Sequence, residues 1–412
     1  MLGFSYNFLY HTISISLICL IKSGGIKILD PINFDEIHNR KISGDIKYKN
    51  VSGIHDVIPM WIADMDFKVP YAVEEALIEC AKHRIFGYTE TDDEYDFLVA
   101  DWYKKRFAWD IKTNWILKTP AVMFAISAAI NAFTEIGDSV LICQPVYYPF
   151  SKVVTANKRN LIISDLVEIS GKYEFDYADI EKKIIENNVK IFLLCSPHNP
   201  VGRVWTKTEL SEIGRICLKH NVIIVADEIH SDFIFGERHH IPIASISEEI
   251  AEITITCTAP TKTFNLAGLQ ASNIIVSNSH IRKSLHKACL ATGYNNINTM
   301  AIAATKAVYR NGEQWLDSLL KYLNESRRIL RNAFPPEYPI TLVEHEGTYL
   351  AWLDCRKLGM NANDLNDLFL NKSHVWLHNG ETFGKSGSGF MRMNFACPHS
   401  VLNEAIQRIK SV

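Results

Sequence analysis

A chain of 412 residues with 47% hydrophobic and 22% charged side chains has the composition of an ordinary soluble globular protein. That excludes wholesale disorder, collagen-like repeats and a multi-span membrane protein. A net charge of −3, histidine neutral, is too balanced for a nucleic-acid footprint or a polybasic membrane surface, so the expected partners are small molecules.

Residues 8–21 (FLYHTISISLICLI) are apolar but short for a spanning helix. No Lys or Arg precedes them and no Ala-x-Ala follows, so they make a poor secretory signal. Residues 1–29 are therefore read as an extension of uncertain role, with the folded part beginning near Asn33. Beyond it, apolar runs alternate with helical spacing. Residues 121–135 read as a helix broken by Gly137-Asp138. Residues 139–143, 190–195, 222–226, 253–257 and 271–276 read as short strands apolar on both faces. The alternation predicts an α/β fold, a mainly parallel sheet covered by helices on both sides. After about Gly312 a long charged helix (314–334) opens a smaller α+β lobe. The expected division is 30–70 with 312–412 as the small domain and 71–311 as the large one. Nine scattered cysteines form no Cys-x-x-Cys pair, which fits a reducing cytoplasm. Metal signatures such as His-Glu-x-x-His are missing, and His239-His240 is an adjacent pair in a polar turn.

Ligands of open α/β sheets bind beyond the carboxyl ends of the strands. Four consecutive strand ends carry Tyr147 (QPVYYPF), Asn199 (SPHNPVG), Asp227 and His230 (DEIHSD), and Lys262 (TAPTKTFN). Taken singly each has an ordinary explanation: a surface lysine, a helix-capping acid, turn chemistry, ring packing. Together they supply what a pyridoxal 5′-phosphate site needs. Lysine is the one side chain whose amine can hold an aldehyde as a Schiff base and then shuttle a proton. An acid such as Asp227 can pair with the ring nitrogen, and a depressed pKa is the expected signature of that pair. Asn199 can donate to the phenolate oxygen, and Tyr147 can stack on the ring. Phosphate favours N–H groups at a helix start, here Ala121, Val122 and Met123.

The motifs SPHNPVGRVWT, VADEIHSDF, APTKTFNLAGLQASN and FMRMNFACP resemble the fold-type I pyridoxal-phosphate enzymes of the class I/II aminotransferase superfamily. Within it, IPMWIADMDF, FGYTE and the histidine of DEIHSD resemble the MalY/PatB group of cystathionine β-lyases, over about 33–412. The resemblance implies a large cofactor-binding domain with a seven-stranded type of sheet. It implies Lys262 as cofactor tether, with Thr261 before it, and Asp227, Asn199, Tyr147 and His230 around the ring. Arg392 of FMRMN would grip the substrate α-carboxylate. Tyr88 of FGYTE would reach the phosphate of a neighbouring subunit, making a homodimer. Trp61 and Asp64 would line the substrate entrance, though Trp61 could equally be core.

Two departures concern the phosphate: Ala121 stands where the family has a glycine, with less φ freedom, and Gln270 stands where many aminotransferases have an arginine. FGKSGSG (383–389) mimics a phosphate loop but has Asn379 where the first glycine is required. The expected function is β-elimination from cystathionine or a related cysteine S-conjugate, with Lys262 and Tyr147 as catalytic groups. Transamination through the same residues, and a MalY-like regulatory binding role, are the alternatives.

Overall fold

The computed structural model describes residues 32–49, 56–169 and 171–412, so the expectations for residues 1–29 lie outside the described part. From Phe34 to Val412 the chain packs as one compact unit.

Seven strands make the central sheet: β1 (Ile116–Thr119), β2 (Ser139–Gln144), β3 (Asn160–Asp165), β4 (Val189–Cys195), β5 (Ile223–Asp227), β6 (Thr254–Thr258) and β7 (Ser272–Ile275). Their order is β1-β7-β6-β5-β4-β2-β3. β7 runs antiparallel to both its neighbours, while the pairs from β6 to β3 are parallel. The sheet is thus mixed and mainly parallel, as the double-sided apolar runs predict.

Successive residues of a strand point to opposite faces, and here each face has its own core. Leu141, Phe192, Leu194, Ile224 and Ala226 meet helix α2 (Lys207–Lys219) through Leu210, Ile213 and Cys217. Val140, Ile142, Ile191, Leu193 and Val225 meet helix α1 (Val122–Phe133) through Ala125, Ile126, Ala129 and Ile130. Small alanines let α1 lie close on the sheet, and its burial matches its lack of charge. α2 starts at a capping box, in which Thr206 and Glu209 satisfy each other's backbone N–H groups.

A second, four-stranded sheet comprises β8 (Thr341–Leu342), β9 (Leu350–Asp354), β10 (His378–Asn379) and β11 (Phe390–Asn394), in the order β8-β9-β11-β10. The helix α3 (Glu313–Ala333) buries Trp315, Leu316, Leu319, Leu323 and Leu330 at helical spacing into the same core as Leu350, Leu353, Met391 and Met393. The early chain joins this core through Phe34, Met60, Met65 and Phe67, and Ile58–Pro59 runs parallel to Val375–Trp376.

Candidate functional site

The carboxyl ends of β2, β4, β5 and β6 lie side by side, with Asp227 opposite Cys195 on one side and Cys257 on the other. Asp227 is therefore central, and the turns after β2, β4 and β6 bring Tyr147, Asn199 and Lys262 around it. Asp227 is 5% exposed, and its described hydrogen bond comes from the Ile229 N–H at 3.2 Å. Burial, the largest influence, lifts the carboxyl from 3.8 to about 7, outweighing that bond and the charge of Lys262. The expected depression belongs to the pair with a protonated ring nitrogen, a cation against the carboxylate; within the chain alone Lys262 offsets only part of the desolvation.

The sign of the resulting linkage is testable. A raised carboxyl pKa means the folded chain binds the proton more tightly than the unfolded one. The destabilisation is absent below the unfolded value near 4, grows between about 4 and 7, and is complete above. Asp227→Asn keeps the Oδ1 acceptor and removes the titration. In cofactor-free protein it should add up to about 4 kcal/mol of stability at about pH 8 and nothing at about pH 4. Urea melts at the two pH values check this; an equal effect at both contradicts it.

Lys262 sits in the short helix Pro260–Thr263, after Thr261, which is 9% exposed. Its amine donates to the Ala63 carbonyl. Burial lowers its pKa from 10.5 to about 8, partly opposed by Asp64. His230 is 3% exposed, its Nδ1 has no partner, and burial holds the ring neutral, at about 3. Burial also raises the Tyr147 hydroxyl to about 12, so it stays protonated.

Arg392, on β11 and 2% exposed, donates from Nη1 to Asn199 Oδ1 at 3.0 Å and from Nη2 to the Trp61 carbonyl at 2.7 Å. His378 Nδ1 lies 3.4 Å from Nη2, the Phe383 ring is 4.7 Å from the guanidinium carbon, and Nε has no partner. Among the described residues no carboxylate pairs with this buried cation. A guanidinium desolvated against neutral acceptors is prepared for an anion from outside.

The other expected residues fall as follows. Ala121 is the N-cap of α1 with φ −161°, extended backbone open to any residue, so the anticipated loss of glycine freedom has no consequence. Val122 and Met123 open α1, and helix geometry leaves such first-turn N–H groups without intrahelical partners. Gln270 is exposed, with φ +56°. Tyr88 is fully exposed, outside the cluster within this chain. The Trp61 ring stacks on Trp376 at 4.7 Å and its indole N–H donates to the Lys47 carbonyl, so it reaches the site through its own carbonyl. Asp64 is paired with Arg40 at 2.8 Å.

Sequence reasoning missed Tyr349, His378 and Asn394. Tyr349, wholly buried, donates to the Ala63 carbonyl at 3.2 Å. His378 is the cross-strand neighbour of Arg392. Asn394 is legible in principle: two residues after Arg392 on one strand, it shares that residue's face.

This donor set fits pyridoxal phosphate on the chain's own geometry. It holds a buried carboxyl short of a cation, unpartnered buried nitrogens on His230 and Arg392, an amine with lowered pKa, and a helix start for phosphate. The family model for aminotransferase class I and II matches residues 55–409. The chain belongs to that family. Within the family it is 38% identical to cystathionine β-lyase PatB of Bacillus subtilis, over 92% of this chain and 99% of PatB. Among solved structures, a PLP-bound putative aminotransferase from Clostridium difficile 630 is 44% identical with TM-score 0.88, covering 92% of this chain and 99% of that one. Cystalysin from Treponema denticola, which contains pyridoxal 5′-phosphate, is 38% identical with TM-score 0.90, covering 92% and 98%.

Proposed function

We propose that this protein is a pyridoxal-phosphate-dependent carbon–sulfur β-lyase, acting on cystathionine or related L-cysteine S-conjugates to give a thiol, pyruvate and ammonia. The observation that carries the choice of reaction is the likeness to PatB along nearly its whole length.

When bound, the cofactor supplies an electron sink for the pair left as the α-proton departs. The chain's residues do the rest. Lys262 tethers the cofactor, and its Nζ, when free, takes the α-proton. At a pKa of about 8 roughly one amine in ten is unprotonated near pH 7, against fewer than about one in a thousand for an ordinary lysine. Asp227 would pair with the protonated ring nitrogen, Asn199 would donate to the phenolate oxygen, and His230 would line the cofactor. Tyr147 would stack on the ring; burial keeps its hydroxyl protonated, so it would be able to donate to the departing sulfur. Ala121, Val122 and Met123 with Thr261 take the phosphate, joined by Tyr88 of a second copy in a homodimer. Arg392 grips the substrate carboxylate, with Trp61 and Asp64 toward the entrance. Residues 71–311 would form the cofactor domain, and 30–70 with 312–412 the small one. A cytoplasmic location is in keeping with the described cysteines, all of which are free thiols. No described helix is long and apolar enough to cross a membrane.

Transamination is the second reading, favoured by the likeness to the Clostridium difficile protein, which is named a putative aminotransferase. Incubation with cystathionine and no keto-acid acceptor separates the two. The lyase releases pyruvate over many turnovers; a single stoichiometric turnover means an aminotransferase.

A further inference from the structure

Residues 61–67 (WIADMDF) pass the site as coil, and the carbonyls of 61–65 and 67 accept from side chains. The Trp61 carbonyl accepts from Arg392. Those of Ile62 and Asp64 accept from Asn394 Nδ2 at 2.7 and 2.5 Å. That of Ala63 accepts from Lys262 and Tyr349. Those of Met65 and Phe67 accept from Asn265 Nδ2, each at 2.9 Å. Both carboxamides come from the motifs that bear the cations: Asn394 stands two residues after Arg392, Asn265 three after Lys262.

The segment is also anchored by charge. Arg40 reaches Asp64 at 2.8 Å, Asp66 at 2.6 Å and Asp45 at 2.7 Å, and gives Nη1 to the Met65 carbonyl at 3.2 Å. Lys47, 1% exposed, reaches Asp66 at 2.9 Å and Asp64 at 3.6 Å. A long lysine tether has many rotamers, and the described hydrogen bond on its amine is to the Ala63 carbonyl. Whatever moves residue 63 therefore moves the base, and a displacement of about 1 Å can cost about a hundredfold in rate.

We propose that residues 61–67 are a positioning strap, latched by Arg40, Asn265 and Asn394, whose carbonyls set where Lys262 and Arg392 point. The inference rests on the roles given to those two cations above.

The test uses the full cofactor-loaded chain with Asn265→Gly, Arg40→Met and Arg40→Lys. Asn265 has φ +58°, so glycine keeps the backbone and removes only the carboxamide. Asn265→Gly should lower kcat by about ten- to a hundredfold, with KM within about twofold, because its motif holds the base. Arg40→Met should also raise KM by about tenfold or more through Trp61 and Arg392, and Arg40→Lys should recover part of that loss. Both Asn265→Gly and Arg40→Met should weaken the visible circular dichroism induced in the bound cofactor. Wild-type kcat, KM and induced signal per folded molecule would overturn the strap. If Arg40→Met does not fold, Asn265→Gly decides alone. Absence of pyruvate release by the parent protein would instead count against the lyase reading, while the induced signal still reports on the strap.

Discussion

Lys262→Ala is expected to lower pyruvate release by about 10⁴-fold, the upper end of what a positioned proton-transfer group contributes, while the melting midpoint stays within a few degrees. The two halves have separate physical origins. Activity falls because the proton acceptor and the cofactor's tether are one atom, and no described lysine can replace it from the same strand end. Stability holds because the amine is a cost to the fold. A lysine whose folded pKa is lowered to about 8 destabilises the protein in full below that value, and the cost disappears only as pH rises past the unfolded value near 10.5. Removing the amine relieves that cost, and the Ala63 carbonyl keeps Tyr349 as a donor. Steady-state pyruvate assays beside thermal melts check the pair. A variant that retains more than about a hundredth of parental turnover contradicts the role of Lys262 as base.

That Tyr147, Asn199, Asp227 and Lys262 are legible in the sequence reflects how an α/β sheet places function. Parallel strands buried on both faces appear in sequence as short apolar runs, and the structure has them within one or two residues: 190–195 against Val189–Cys195, 253–257 against Thr254–Thr258. The residues just after each run must then lie at one edge, so Tyr147, Asn199, Asp227 and Lys262 fall together by topology. The edge strands β1 and β3 are less visible. Ile116–Thr119 is short and contains a lysine, and Asn160–Asp165 is only partly covered.

The strap is invisible for a different reason. Its contacts to Lys262, Arg392, Asn265 and Asn394 are made by main-chain oxygens and the Met65 N–H, groups that do not depend on side-chain type. Composition therefore carries no mark of them. Asp64 shows the related failure with charge. From sequence it is one acid near an expected entrance; in the fold Arg40, 24 residues earlier in the chain, takes its carboxylate. Likewise, a depressed pKa for Asp227 presupposes a cation seated against it. Within the chain itself, burial dominates.

Arg392→Met should reduce kcat/KM for a cysteine S-conjugate by roughly 30- to 5,000-fold, the 2–5 kcal/mol that follows loss of one partner from a buried, hydrogen-bonded charge pair. Most of the effect should appear in KM, because the guanidinium binds a carboxylate that does not change during elimination. Arg392→Lys should recover little. Lysine restores the charge but not the planar fork, which here spends one arm on Asn199 and the other on the Trp61 carbonyl. Loss of the cation should not weaken the fold: burial already lowers its pKa to about 10, and no described carboxylate would be left unpaired. The discriminating measurement compares the S-conjugate with the corresponding amine that lacks the α-carboxylate. The parent should prefer the amino acid strongly, and Arg392→Met should treat the two nearly alike. An equal loss on both substrates would place Arg392 in the scaffold of Asn199 rather than against the substrate.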